Sequence, residues 1–175
     1  MIYYSDPEVT IRTIHESDPA IIAAEERAQG WLGASETKYL KRIQDEKDGK
    51  SIALVAEYRG EVAGYLNVYF DADCGPFAGM HLPELVDFGV LMKFRCRGIG
   101  SKLMDTAEKI AGEYADTVVL AVGLHSGYGS AQRMYVKRGY IPDGSGAWYD
   151  TAPATPYQSY PNDDSLRLYF SKKLR

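Results

Sequence analysis

Residues 86–104, VDFGVLMKFRCRGIGSKLM, constrain this chain more than any other stretch. The apolar run reads as a strand. Arg95-Cys96-Arg97-Gly98-Ile99-Gly100 reads as a glycine-bearing turn. The residues from Ile99 onward read as a helix, with Ile99, Leu103, Ala107, Ile110 and Tyr114 at helical spacing. Where such a turn opens a helix, backbone N–H groups point outward and the helix dipole favours negative charge. Two arginines beside them make an anion site. Gly98 and Gly100 allow close approach of the backbone to a ligand.

The rest of the chain supplies alternating strands and helices. Residues 8–15 read as a first strand through Val9, Ile11 and Thr13. Asp18-Pro19 reads as a helix start with Asp18 as N-cap, running to Gln29 and stopped by Gly30. A second helix starts at Ser35-Glu36, with Tyr39, Leu40 and Ile43 on one side. It decays into the charged run 45–50, read as a solvated turn. Residues 52–58 and 62–70 form two strands around the hairpin signal Arg59-Gly60. Residues 85–92 form a fourth strand, apolar on both faces as in a central position. A helix over 99–114, a buried strand over 117–122 and a short helix over 130–138 ended by Gly139 follow. Strands at 140–141 and 165–171 complete the order, separated by a long loop over 142–164. That order predicts an α/β (α+β) fold in one domain spanning 1–175.

Composition narrows the partners. Twenty basic and 24 acidic side chains give a net charge of −4, which argues against nucleic acid as a primary ligand. There is no run of about 18 apolar residues, so no membrane span is expected. The first ten residues lack a basic and an apolar region, so no signal peptide is expected. Cys74 and Cys96 have no metal-site spacing, and a reducing, cytoplasmic setting is the default. His15, His81 and His125 have no companions at ligand spacing, and no metal site is expected.

Three phosphate ligands are worth weighing for the turn. A P-loop needs Gly-x-x-x-x-Gly-Lys-Ser/Thr, and Gly98-Ile99-Gly100-Ser101-Lys102 lacks that spacing. A dinucleotide turn needs a third glycine where Leu103 stands. The coenzyme A signature Arg/Gln-x-x-Gly-x-Gly/Ala is met by Arg95, Gly98 and Gly100 without a gap. A second motif lies downstream, where Ala131, Tyr135, Gly139 and Tyr140 hold the spacings of N-x-x-A-x-x-x-Y-x-x-x-G-F. On these two motifs and the element order, the chain resembles the GNAT superfamily of acetyl-CoA-dependent N-acyltransferases over most of its length. It departs from the family pattern at Met92 for a common Pro, Cys96 for a common Gly, and Tyr128 for a usual Asn.

The resemblance implies a mixed, mostly antiparallel central sheet flanked by helices and splayed between its fourth and fifth strands. It implies acetyl-CoA as cosubstrate and direct attack by a primary amine within a ternary complex. The cofactor contacts it implies are backbone groups of Phe88, Gly89, Val90, Leu91 and Met92 for the thioester arm, with Val90 N–H polarising the carbonyl. Arg95, Cys96, Arg97, Gly98, Ile99, Gly100 and Ser101 are implied for the pyrophosphate. Tyr135 is the candidate general acid and Glu84 the candidate general base. Asp87 is the second candidate base. Strand alternation puts it on the opposite face from Glu84. Cys96, lying between arginines, has no base neighbour that would make it a nucleophile and is read as a small turn residue. His125 is read as a loop residue.

The acceptor side is less defined. Residues 71–83 and 142–164 are long irregular stretches, the second carrying Trp148, Tyr149, Tyr157 and Tyr160 beside Asp150, Asp163 and Asp164. Aromatics beside carboxylates suit a cationic amine, and equally they plug the end of a sheet. By resemblance these stretches, with the helices around Trp31, border the acceptor pocket. The expected acceptor is a small-molecule or peptide amine, and the chain a monomer or homodimer. The alternative from another class is a CoA-binding sensor or interaction module with little catalysis.

Overall fold

The computed structural model describes residues 1–31 and 33–175. Its elements in chain order are β1 (Ile2–Ser5), β2 (Val9–Thr13), α1 (Asp18–Ala28), α2 (Glu36–Lys47), β3 (Ser51–Tyr58), β4 (Glu61–Tyr69), β5 (Glu84–Val90) and α3 (Ile99–Ala111). Then come β6 (Thr117–Gly123), α4 (Gly129–Lys137), β7 (Ile141–Pro142), β8 (Trp148–Tyr149), β9 (Ala152–Pro153) and β10 (Leu166–Lys173). The sheet is mixed and mostly antiparallel, with helices flanking it, as expected for the fold class. The chain divides into two compact units, Met1–Tyr69 with Val86–Ile110, and Phe70–Leu85 with Ala111–Arg175.

In the first unit β1 to β4 pair antiparallel in sequence order. Arg59 and Gly60 both take positive φ, 51° and 84°, which matches the right-handed twist of a two-residue hairpin. Ile11, Ile22, Leu54, Leu66, Leu91, Ile99, Leu103 and Met104 are fully buried here. The expected apolar stripe of α3 is therefore its core face. The helix stops at Ala111 rather than residue 114, and Tyr114 is exposed, stacked on Phe70 in the second unit.

Four local readings in this unit change. β1 was missed, because Ile2 and Ser5 are exposed and the strand carries too weak an alternation. Asp18 does not cap its own helix. Its carboxylate takes Arg12 Nη1 at 2.7 Å and the His15 N–H at 2.6 Å, so it is buried as an ion-pair partner. The run 45–50 is not all solvated. α2 continues to Lys47, and Asp45 is buried, accepting from Lys41 and Tyr69. Leu40, expected on the apolar side of α2, is exposed.

In the second unit β5 begins parallel to β6, with Glu84 opposite Val119 and Leu85 opposite Leu120. β6 pairs antiparallel with β10 over seven residues, Gly123 to Thr117 against Arg167 to Lys173. β8 and β7 also pair with β10. The loop 142–164 thus contains two short strands that its Pro and Gly content concealed. Ala72, Phe77, Val119 and Tyr169 form a buried cluster, with Trp148 packed against it. Trp148 lies edge-on to Tyr169 at 5.5 Å, so it is a sheet plug, whereas Tyr157 is fully exposed.

Candidate functional site

The anion turn lies in the first unit. After β5, Met92–Phe94 form a short 3-10 turn, and Cys96 and Gly98 take positive φ of 60° and 76°. This reverses the chain into α3. The first intrahelical bond comes from Lys102 N–H to Gly98 at 3.1 Å. Among the described residues, the N–H groups of Gly98, Ile99, Gly100 and Ser101 have no partner, as the geometry of a helix start dictates. Gly100 faces Phe88 closely, since a Cβ there would lie 3.1 Å from its ring and 3.4 Å from Val90 Cγ2.

The arginines have fixed surroundings. Arg95 Nε donates to the Val90 carbonyl at 3.2 Å, and its guanidinium stands 5.5 Å over the Trp31 ring. Arg97 lies over the Tyr58 ring at 4.9 Å. Cys96 is exposed. Four free amides at a 13-residue helix start, flanked by two guanidinium groups, fit a pyrophosphate in number and charge.

The strand end is narrower than expected as a source of donors. Leu91 N–H donates to Ala63 at 2.9 Å, and Met92 N–H to Gln29 Oε1 at 2.8 Å. Their carbonyls accept from Phe94 and Arg95. All four backbone groups of Leu91 and Met92 therefore shape the turn. The sequence shows neither bond, because both partners are distant in the chain.

Asp87, also in the first unit, has φ of 55° within β5. Period-two counting does not carry across such a residue, so the alternation argument separating it from Glu84 fails. Arg42 Nε and Nη2 both reach Asp87 Oδ2 at 2.7 Å, and Lys38 Nζ lies 3.7 Å from Oδ1. Arg42 also donates to Tyr69 Oη, which in turn donates to Asp45. This carboxylate is held in an ion-pair network. Sequence reading missed Lys38 and Arg42, although 38, 42 and 45 recur at helical spacing as a polar stripe.

The second unit holds the two candidate catalytic residues. Glu84 is buried at the start of β5. The Cys74 thiol is pushed up by its burial and then by the Glu84 charge. Tyr169, on the same sheet face by register, is pushed up by burial and then by Cys74. Tyr135 is buried in α4, edge-on to Tyr140 at 5.7 Å. Burial raises its hydroxyl well above the ordinary phenol range, so it stays protonated at neutral pH. His125 accepts the Gly127 N–H on Nδ1 at 3.1 Å, and its Nε2 lies 3.0 Å from Asp164. Tyr128, at the position where Asn is usual, donates to the same Asp164 oxygen at 2.8 Å. His125 is thus tied into the loop end.

A mixed sheet whose strand runs through a glycine-bearing turn into a helix start with unpartnered amides defines an α/β class of fold. Residues 18–140 match the model of the acetyltransferase (GNAT) family, and the chain belongs to that family. Solved structures share the fold. Ard1 from Thermoplasma volcanium matches at 19% identity and TM-score 0.70, over 96% of this chain and 99% of that one. The yncA protein from Salmonella typhimurium, solved with acetyl-CoA as its cofactor, matches at 16% and 0.66, over 96% and 95%. A Salmonella typhimurium acetyl transferase that modifies the N-terminal serine of ribosomal protein L7/L12 matches at 13% and 0.71, over the full length of both. At these identities the likeness is one of fold. Comparison with curated proteins returned no match. Among the described residues, no helix is long and apolar enough to cross a membrane.

Proposed function

We propose that this chain is a single-domain N-acetyltransferase that moves an acetyl group from acetyl-CoA to a primary amine of a small molecule or peptide, by direct attack in a ternary complex. The observation that carries the reading is the set of unpartnered amides from Gly98 to Ser101, flanked by Arg95 and Arg97. Acetyl-CoA supplies the activated thioester. Gly98, Ile99, Gly100 and Ser101 hold its pyrophosphate by backbone N–H, with the guanidinium groups of Arg95 and Arg97 adding charge. Cys96 serves the turn through its positive φ. Phe88, Gly89 and Val90 align the thioester arm, and Val90 N–H polarises the carbonyl.

Glu84 takes the proton from the attacking ammonium, which frees the nitrogen lone pair. As the new C–N bond forms and the C–S bond breaks, Tyr135 gives its proton to the leaving thiolate, and the surplus proton of the new amide nitrogen passes through water back to Tyr135. The raised pKa of Tyr135 suits a group that must arrive protonated. Release of free thiol from acetyl-CoA, followed across amino acids, polyamines, aminoglycosides and peptide N-termini, tests the reading. Turnover with at least one amine is expected. Acetyl-CoA binding without thiol release from any of them would replace the enzyme with a CoA-binding module. Tyr135→Phe is expected to lower kcat by about 100-fold while leaving acetyl-CoA affinity unchanged. Unchanged kcat would remove Tyr135 from the acid role. Gly100→Val would place side-chain atoms against Phe88 and is expected to weaken CoA binding in calorimetry. Unaltered affinity would contradict the turn assignment.

A further inference from the structure

One side of β5 in the first unit carries a polar and aromatic arrangement that the roles above leave unused. Tyr39 of α2 and Tyr65 of β4 are buried, their rings 5.0 Å apart at 66°. Both hydroxyls donate to the same oxygen of buried Glu26, Tyr39 at 2.6 Å. Two donors on one carboxyl oxygen fix both ring planes. They also push electron density into the rings, which strengthens the negative face each presents. Gly89 lets the strand pass over this pair, since a Cβ there would lie 2.5 Å from Tyr65 Oη.

Across those rings lies a cation from the chain itself. Lys38 Nζ stands 4.7 Å from the Tyr39 centroid, 5.7 Å from that of Tyr65 and 3.7 Å from Asp87 Oδ1. Arg42 occupies the other oxygen of Asp87, so Oδ1 is the one turned to Lys38. The Lys38 side chain is itself about a third exposed, at 36%. It is a removable cover, whereas the rings and carboxylate beneath it are anchored by Glu26 and Arg42.

We propose that Tyr39, Tyr65 and Asp87 form a cation subsite for the acceptor, and that Lys38 is its resident occupant, displaced when substrate binds. The proposal rests on the acetyltransferase reading for its meaning. Its chemistry narrows the substrate class. An amine that attacks a thioester must lose its proton, and two aromatic faces with a carboxylate favour the charged form. The subsite therefore holds an ammonium that stays protonated. The acceptor carries at least two amino groups, one to react and one to be held.

Direct binding to the full-length protein tests this without any turnover. Spermidine is titrated calorimetrically into wild type, Lys38→Met and Lys38→Arg, with triethylene glycol as a neutral control of similar length. Lys38 is at the surface, and thermal melts verify that both variants fold. Lys38→Met is expected to bind spermidine about tenfold more tightly, because the competing cation is gone. Lys38→Arg keeps a resident cation and is expected to resemble wild type. Equal or weaker spermidine binding by Lys38→Met overturns the subsite. So does an equal gain for triethylene glycol, which would indicate an apolar groove without charge preference. The two readings fail separately. Thiol release from acetyl-CoA with no gain in Lys38→Met removes the subsite alone. A gain without thiol release for any amine removes the transferase and leaves a polyamine site.

Discussion

Glu84 and Asp87 stand three residues apart on β5, and their surroundings differ in kind. Glu84 is buried in the second unit, where its charge raises the thiol of Cys74. Asp87 lies in the first unit, half-buried, with one oxygen given to Arg42 and the other turned to Lys38. Sequence alone offers both as acidic residues in an apolar strand. The structure separates them by their surroundings. The proposed roles follow that contrast, Glu84 as base and Asp87 as anchor.

The largest effect expected from that distinction is on turnover. Glu84→Gln keeps the volume and removes the proton acceptor, so kcat is expected to fall by about 100-fold. Asp87→Asn, which weakens an ion pair instead, is expected to act mainly on KM for a polycationic acceptor. Steady-state kinetics on both variants checks the contrast. If Asp87→Asn loses kcat and Glu84→Gln does not, the two roles are reversed.

The next effect is on stability. Arg42→Ala leaves Asp87 and Tyr69 without their shared donor in a partly buried position. A loss of about 2 kcal/mol is expected, below the full cost of breaking a buried pair because both groups retain some solvent. Urea unfolding measures it. A change within experimental error would mean that the network contributes no net stability, as at many exposed ion pairs.

How far these differences were legible in the sequence depends on the distance between partners. The turn was readable because its parts are adjacent. Arg95, Gly98 and Gly100 declare their spacing, and Ile99 and Leu103 declare the helix that follows. The core face of α3 was readable for the same reason. The setting of Asp87 was not, since Arg42 lies 45 residues earlier and only folding brings them together. The positive φ of Asp87 also defeats alternation, the one tool that sequence offers on a strand. Likewise the amides of Leu91 and Met92 are satisfied by Ala63 and Gln29, neither of which has a local signature. The charged run 45–50 misled because Asp45, still in α2, finds Tyr69 on β4.

That last residue gives the smallest and most specific test of the anchoring network. Burial alone would raise the Asp45 pKa, but hydrogen bonds from Lys41 and Tyr69 outweigh it and hold the value below the ordinary range. A group depressed in the folded state adds stability above its unfolded pKa of about 3.9, and that stability is lost as pH falls through the folded value. Asp45→Asn removes this contribution. The difference in urea midpoint between wild type and variant is therefore expected to be greatest near neutrality and to shrink below about pH 4. Because Tyr69 links Asp45 to Arg42, the same titration repeated in Arg42→Ala reports whether the network acts as a unit. A cooperative network predicts a smaller Asp45 contribution in that background, since Tyr69 is then free to reorient. An unchanged contribution would mean that Asp45 is held independently of Arg42, and the anchor of Asp87 would end at Arg42.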